Sequence, residues 1–163
     1  MKTLYLVRHA KAGWDHTWTA DFDRSLSDHG QKEAREMANR LLKKEARADL
    51  MVSSPAKRAL STAKIFAGVL GYPEENIQAR IEIYEGGPDT LVQVVQSLPE
   101  SCQTVMLFGH NPTISHFASW LNGKKTEQME TCGVVKLDFS EEQWTDTKAG
   151  SGKLVWYKHP KGH

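Results

Sequence analysis

The sequence predicts an α/β fold in which helices cover both faces of a mainly parallel central sheet, forming a three-layer sandwich. Three strand-like segments support this prediction, because each is followed by an amphipathic helical pattern. They cover residues 2–8, 49–53 and 104–109. The chain has 163 residues and contains no repeat, linker or low-complexity block. We therefore expect one domain over residues 1–163.

The first half of the chain predicts two strand–helix units. Residues 2–8 are predicted as a buried parallel strand, because an apolar run ends in an abrupt Arg-His pair. Ser27 is a good N-cap for the first helix, in which apolar residues recur at helical spacing. Residues 49–53 form the second strand. Pro55 then starts a helix that Gly71 ends.

The second half of the chain predicts further strands and helices of the same sheet. Residues 77–84 alternate weakly between apolar and polar side chains and are predicted as a short strand, after which Asp89 caps a helix. Residues 104–109 form the third buried strand, and another helix follows it. The last two strands are predicted as an antiparallel pair added to the sheet. They cover residues 134–139 and 154–157.

The composition argues against nucleic acid and membranes as partners. Lys and Arg number 21 against 20 Asp and Glu, for a formal charge of +1, so the chain lacks the basic excess that such partners need. No apolar run could span a bilayer, and no signal-peptide region is visible. Cys102 and Cys132 form no CxxC unit, so we expect reduced thiols in a cytoplasmic protein. Without an exposed apolar stripe, we expect a monomer.

Polar side chains follow the three predicted parallel strands. Arg8 and His9 end the first strand, Arg58 lies on the first turn of the helix after the second, and His110 follows the third. Ligands bind at the carboxyl ends of such strands, so we expect the four side chains to converge. Guanidinium groups clamp phosphate and a neutral imidazole is a nucleophile. Together the four residues suit phosphoryl transfer, although each alone is weak evidence.

The ordered set of motifs resembles the histidine phosphatase (phosphoglycerate mutase-like) superfamily. The matching segments are Leu-Val-Arg-His-Ala at 6–10, Ser-Pro at 54–55, Arg-Ala at 58–59, Thr-Ala at 62–63 and Gly-His-Asn-Pro at 109–112. The short chain, Arg-His-Ala-Lys-Ala at 8–12 and Asp-Arg-Ser-Leu-Ser at 23–27 are most similar to SixA-type phosphohistidine phosphatases. The resemblance implies a phosphoglycerate mutase-like fold.

The resemblance also implies the roles of the four strand-end residues. His9 would be the nucleophile and would form a phosphohistidine intermediate that water hydrolyses. Arg8, Arg58 and His110 would hold the phosphoryl oxygens. A metal-independent hydrolase is implied, with no cofactor, because guanidinium charge takes the place of a metal ion.

Several residues near these motifs are candidates for contacting substrate at the rim of the site. They are Lys11, Arg24 and Asn111, with Trp14 and Trp18 in the loop after the nucleophile. For the two tryptophans, packing within the protein is the alternative. Asp21 and Asp23 form an Asp-x-Asp spelling, and we expect an aspartate there to orient Arg24 rather than to bind a metal.

The sequence departs from the larger family at the position of the general acid. Members that cleave phosphate esters commonly carry it in a Leu-x-Glu element, and Ile83 stands where that Glu would fall. Glu82, Glu85 or Asp89 could substitute, and Glu85 is the preferred candidate because glycines follow it. An alkoxide leaving group must be protonated as it departs, since hydroxyl pKa values lie near that of water at about 15.7. Imidazole titrates near about 6.5, so a site without a strong acid suits P–N cleavage.

The sequence therefore favours a phosphatase that hydrolyses phosphohistidine on a protein, for instance a histidine-containing phosphotransfer domain in signal transduction. The chain lacks room for long insertions over the site, and an open rim fits a protein substrate. A small-molecule phosphomonoesterase is one alternative. A catalytically idle phospho-binding module is another, and the intact set of four residues argues against it.

Overall fold

A six-stranded sheet forms the centre of the protein in the computed structural model, which describes residues 1–13 and 15–161. The strands are β1 (Lys2–Arg8), β2 (Leu50–Ser53), β3 (Gln78–Ala79), β4 (Thr104–Gly109), β5 (Val134–Phe139) and β6 (Gly152–Lys158). Their order across the sheet is β3-β2-β4-β1-β5-β6. The pairs among β1 to β4 are parallel, whereas β5 and β6 are antiparallel to their neighbours. The predicted parallel sheet with an added antiparallel pair is confirmed.

Five α-helices accompany the sheet within the described residues. They are α1 (Asp28–Lys43), α2 (Lys57–Leu70), α3 (Ile81–Glu85), α4 (Pro88–Gln96) and α5 (Thr113–Asn122). The predicted ends of two helices are confirmed: the Ser27 hydroxyl accepts from the backbone N–H of Gly30 at 3.0 Å, and Gly71 closes α2 at a φ of 77°. No helix in this part of the chain is both long and apolar enough to cross a membrane.

Two predicted helix starts are displaced by two residues. The helix after β2 begins at Lys57 rather than at Pro55. Gly87, not Asp89, is the N-cap of α4, because Pro88 has a φ angle suited to the first helical turn. Asp89 instead lies within that first turn, where a carboxylate favours the positive end of the helix.

The apolar core divides into two layers, one on each face of the sheet. Successive residues of a strand point to opposite faces, and β1 follows this rule. Leu4 and Leu6 join the core beneath α4 and α5, whereas Tyr5 and Val7 join the core beneath α1 and α2. The three-layer α/β sandwich predicted from the sequence is therefore confirmed.

The register of the parallel strands brings three strand ends together. Arg8 at the end of β1 pairs with Gly109 at the end of β4, and Ser53 at the end of β2 pairs with Phe108. The polar residues that follow these strands thus leave the sheet at one edge. This is the arrangement expected for a ligand site in a sheet of this kind.

The turn before β5 also reaches this edge. The backbone N–H of Arg8 donates to the carbonyl of Gly133 at 3.0 Å, and that of Cys132 donates to the carbonyl of His9 at 3.0 Å. A Cβ on Gly133 would lie 2.8 Å from the carbonyl oxygen of Glu130 and 2.9 Å from the ring of Tyr157. Glycine is required here because the backbone approaches so closely.

The predicted strand over residues 77–84 is wrong beyond Ala79, because α3 begins at Ile81. Ile83 is buried in the core, while the ring of its neighbour Tyr84 lies 5.5 Å from that of His110. Adjacent residues of a strand point to opposite faces, whereas in a helix they are about 100° apart. A helical turn therefore lets both side chains face the protein.

Candidate active site

His9 is held by its backbone at the point where β1 ends. Its N–H donates to the carbonyl of Gly109 at 3.1 Å, and its carbonyl accepts from Cys132. The next residue is fixed too, since the N–H of Ala10 donates to the hydroxyl of Thr62 on α2 at 3.0 Å. Three separate parts of the chain thus determine where the imidazole of His9 lies.

The hydrogen bonds of His9 specify one neutral tautomer. Nδ1 lies 2.7 Å from the carbonyl oxygen of Ala10, and a carbonyl can only accept, so Nδ1 carries the proton. Nε2 lies 3.4 Å from Nε of Arg58, which can only donate. Burial, more than the nearby positive charges, lowers the pKa of His9 to about 3. At neutral pH, Nε2 therefore carries a lone pair, as a nucleophile requires.

Two buried or partly buried arginines act on this imidazole: Arg58 contacts Nε2, and the positive charge of Arg8 also lowers the pKa of the ring. Arg58, on the first turn of α2, donates from Nη1 to the carbonyl of Asp21 at 2.6 Å and from Nη2 to its carboxylate at 3.0 Å. Arg8 donates from Nη1 to the carbonyl of Met129 at 2.8 Å. Nε of Arg8 is buried and has no hydrogen-bond partner among the described residues. The site thus holds two fixed positive charges and a buried donor.

His110 completes the group at the end of β4. Its ring lies 5.1 Å from that of His9, and its Nε2 is 2.8 Å from the hydroxyl oxygen of Ser54. That hydroxyl accepts a hydrogen bond from the N–H of Ala56. Nδ1 is buried without a hydrogen-bond partner among the residues described. Burial, followed by the charge of Arg58, lowers the pKa of His110 to about 4.

The structure thus brings together the four side chains that the sequence singled out. Arg8 and Arg58 supply positive charge, and the imidazoles of His9 and His110 are neutral near pH 7. An anion bound among them could accept a hydrogen bond from Nε of Arg8. It could also accept a hydrogen bond from Nδ1 of His110, or share a proton with that nitrogen. This combination of a nucleophile and anion-binding groups is suited to phosphoryl transfer.

Asp21 is the main residue of the site whose contacts the sequence did not reveal. We expected an aspartate of this loop to pair with Arg24, and that pair does form at 3.5 Å. The shorter ion pair, at 3.0 Å, joins Asp21 to Arg58. Its carboxylate also accepts from the hydroxyl of Tyr84 at 2.9 Å. The Asp-x-Asp-Arg spelling was the available signal, but it did not identify the distant partners.

The remaining candidates lie around this group of four. Lys11 has an exposed side chain and a carbonyl that accepts from Ser27. Arg24 donates from Nε to the carbonyl of Gly13 at 3.3 Å. Asn111 donates from Nδ2 to Gln128 at 3.1 Å and accepts from the hydroxyl of Ser115. Trp18 is 79% exposed. Trp14 lies outside the described residues.

The three candidate general acids occupy different surroundings. Ile83, which stands where the larger family has Glu, is buried in the core. Glu82 forms an ion pair with Arg80 at 2.9 Å, which lowers the pKa of its carboxyl. Glu85 and Asp89 are both exposed, and the charge of Glu85 acts on Tyr84. The carboxylate in hydrogen-bond contact with Arg58 is that of Asp21.

Metal ligands do not cluster in the part of the chain that the structure describes. No group of three or more His, Cys, Asp and Glu side chains there is arranged to hold an ion. The fixed charges available to an anionic substrate at the strand ends are those of Arg8 and Arg58.

Comparison with known proteins identifies a family model and several relatives. Residues 4–87 match the histidine phosphatase superfamily (branch 1). An uncharacterized chloroplastic protein of Arabidopsis thaliana is 30% identical, over 95% of this chain and 74% of that protein. An uncharacterized protein of Mycobacterium leprae is 26% identical, over 95% of this chain and all of its own length.

Solved structures resemble the fold over nearly its whole length. A candidate phosphohistidine phosphatase SixA from Agrobacterium tumefaciens is 28% identical, with a TM-score of 0.82 and coverage of 98% of both chains. A protein histidine phosphatase SixA complexed with tungstate is 23% identical, with a TM-score of 0.84 and coverage of 98% of this chain and 97% of the other. The second likeness is one of fold alone.

Proposed function

The chain belongs to the histidine phosphatase superfamily (branch 1), and from this membership we propose that it hydrolyses phosphohistidine on a protein, with His9 as the nucleophile. The observation that carries the proposal is the neutral tautomer of His9. Its Nε2 is free of a proton and lies beside the guanidinium of Arg58 and the ring of His110. The phosphorus atom of a phosphoryl group bound by these side chains would lie next to the unprotonated Nε2 of His9.

The proposed reaction has two steps that share one set of charges. In the first, the lone pair of His9 Nε2 forms a bond to phosphorus. The bond from phosphorus to the substrate imidazole breaks, and its electron pair stays on the substrate nitrogen. In the second, water attacks the phosphohistidine and the bond to Nε2 breaks, with its electron pair returning to His9. The oxygen and both protons of that water leave with inorganic phosphate. Arg8, Arg58 and His110 stabilise the phosphoryl oxygens in both steps.

The Asp21 carboxylate, which contacts Arg58, favours P–N rather than P–O cleavage. Asp21 accepts hydrogen bonds from two cationic side chains and from Tyr84, and its pKa is lowered despite the opposing effect of burial. An ionised carboxylate cannot protonate a leaving alkoxide. An imidazole leaving group makes a smaller demand, because the conjugate acid of the departing nitrogen has a pKa of about 6.5. With a proton on its other nitrogen, the ring can leave as neutral imidazole without a general acid. The likeness to the Agrobacterium tumefaciens SixA structure points the same way.

Side-by-side turnover tests this substrate class. A phosphohistidine-containing phosphotransfer protein and a panel of phosphate monoesters are offered to the same preparation, and released phosphate is followed. We expect kcat/KM for the phosphoprotein to exceed that for every ester. Comparable ester turnover, dependent on Glu82, Glu85 or Asp89, would make the protein a phosphomonoesterase. Tight binding of phosphoprotein without turnover would make it an idle binding module.

Trp18 offers a way to separate protein substrates from small ones. Its side chain is 79% exposed and stacks on the ring of His16 at 4.4 Å. In the sequence it lies three residues before Asp21, whose carboxylate contacts Arg58 of the site. Exposed tryptophans contribute strongly to protein interfaces. We expect Trp18→Ala to raise KM for the phosphoprotein by about tenfold, with kcat little changed.

The same variant provides its own internal comparison. Turnover of free phosphohistidine should not change, because the amino acid lacks the surrounding protein surface that an exposed tryptophan would contact. Trp120→Ala is the matched control, since Trp120 is 37% exposed on α5. Equal effects of the Trp18 and Trp120 substitutions on the phosphoprotein KM would remove Trp18 from the binding surface.

Anion binding should be linked to a proton at His110. In the free protein its pKa is about 4, so the ring is neutral near pH 6. A dianion beside Nδ1 favours the imidazolium and raises that pKa. Sulfate, which stays a dianion, should therefore bind with proton uptake, and more tightly as the pH falls from about 7 toward about 5.

Calorimetry in two buffers of different ionisation enthalpy measures this linkage. The observed heat of sulfate binding should depend on the buffer for the wild-type protein. His110→Asn should bind sulfate with the same heat in both buffers, which assigns the proton to His110 rather than to His9. Buffer-independent heat in the wild-type protein would contradict the expected linkage.

A further inference from the structure

Asp21 engages Arg58 through both its backbone and its side chain. The carbonyl oxygen accepts from Nη1 at 2.6 Å, and Oδ2 accepts from Nη2 at 3.0 Å. The third nitrogen, Nε, is left to approach Nε2 of His9 at 3.4 Å. The two bonds to Asp21 fix the orientation of the guanidinium plane. With Nη1 and Nη2 held by Asp21, Nε faces His9.

Tyr84 supports the same carboxylate oxygen. Its hydroxyl donates to Oδ2 of Asp21 at 2.9 Å. Its ring packs edge-on against Phe22, which follows Asp21, at 5.1 Å, and against His110 at 5.5 Å. Tyr84 thus contacts His110 directly and reaches Arg58 through Asp21. The two proposed reaction steps give Tyr84 no direct role.

The charge of Asp21 sets what it can do in the reaction. As an ionised carboxylate it accepts protons in hydrogen bonds but has none to donate, so it is a poor general acid. It would also repel a phosphoryl dianion at close range. Its carboxylate and backbone carbonyl instead accept hydrogen bonds from the guanidinium of Arg58.

We propose that Asp21 is a positioning residue, which orients the guanidinium of Arg58 toward Nε2 of His9, and that Tyr84 holds the Asp21 carboxylate in place. This inference rests on the proposed function, because it gives Asp21 its part in phosphoryl transfer. An arginine side chain has many rotamers, and fixing it before substrate arrives removes an entropic cost from the reaction. The planar guanidinium is suited to being oriented in this way, because its N–H donors are rigidly spaced.

Turnover of Asp21→Asn provides the kinetic test. The change removes the charge while keeping the size of the side chain, which is 53% exposed, so folding should tolerate it. We expect kcat/KM for a phosphohistidine protein to fall about 10- to 100-fold. Asp23→Asn is the matched control, since Asp23 is exposed in the same loop and its variant should behave as wild type. Turnover of Asp21→Asn equal to or above that of Asp23→Asn would overturn the proposal.

A double-mutant cycle tests whether Tyr84 acts through Asp21. Tyr84→Phe removes the hydroxyl but keeps the ring that contacts Phe22 and His110. We expect a several-fold loss of kcat/KM in the wild-type background and no further loss in the Asp21→Asn background. Fully additive losses would show that Tyr84 does not act through Asp21 and would overturn that part of the proposal.

The guanidinium protons of Arg58 give a readout that does not depend on activity. In the wild-type and Asp23→Asn proteins, NMR should resolve separate Nη signals of Arg58, because two bonds to Asp21 restrict rotation. In Asp21→Asn the bond from Nη1 to the backbone carbonyl remains, but the ionic bond from Nη2 is lost, so the Nη2 signals should broaden. If the wild-type protein fails to hydrolyse phosphohistidine yet the signals change as expected, the proposed function fails and the positioning contact is supported. Unchanged Arg58 signals in Asp21→Asn would overturn the contact whatever the substrate.

Discussion

Hydrolysis of a phosphohistidine protein is expected to fall by at least about 10⁴-fold when His9 is replaced by alanine. The physical reason is that Nε2 of His9 is the unprotonated nitrogen that Arg58 and His110 surround. Removing it leaves binding charges with no nucleophile to accept the phosphoryl group. Phosphate release under single-turnover conditions measures the effect.

Two further variants make this result interpretable. His9→Gln keeps an amide near the carbonyl of Ala10 and should be as inactive as His9→Ala, with thermal unfolding close to wild type. His29→Ala removes an exposed histidine of α1, which pairs with Glu33 at 3.2 Å, and should retain full turnover. Turnover by the folded His9 variants near that of His29→Ala would refute the role of His9.

Replacing Arg58 should have the second largest effect. We expect Arg58→Ala to lower kcat/KM by about 10²- to 10³-fold, the cost of removing a charged donor from a developing oxyanion. Arg58→Lys should recover little of that loss. A single ammonium cannot bond both oxygens of Asp21 and also face His9, as the guanidinium does. Steady-state kinetics on the phosphohistidine protein measures both variants.

The neighbouring lysine is the control for charge alone. Lys57 is exposed on the same first turn of α2, and Lys57→Ala should leave kcat/KM close to wild type. If Arg58→Lys were as active as wild type, a positive charge without the guanidinium geometry would suffice, contrary to the role given to Asp21.

The parallel sheet could be predicted because its buried strands consist of short apolar runs. The predicted bounds of β1, β4 and β5 agree with the structure. Their ends then indicated where Arg8, His9 and His110 would meet, since parallel strands end at one edge. The helix at residues 81–85 was missed because Ile83 and Tyr84 both face the protein, a pattern that depends on packing rather than on local periodicity.

The finer structure of the site depends on contacts between residues far apart in sequence. Asp21 meets Arg58 and Tyr84, which lie 37 and 63 residues away. Arg8 meets the carbonyl of Met129, which lies 121 residues away. None of these three contacts has a local sequence signal. The tautomer of His9 likewise follows from one carbonyl and one guanidinium, and only their geometry specifies it.

Trapping the covalent intermediate tests the central claim most directly. The protein is incubated briefly with a phosphohistidine-containing phosphotransfer protein, quenched at alkaline pH, where phosphohistidine survives, and analysed by peptide mass spectrometry. We predict a phosphoryl group on the peptide that contains His9, absent from His9→Gln and lost when the quench is delayed. Phosphate release without any adduct on that peptide, or an adduct on another residue, would contradict the mechanism.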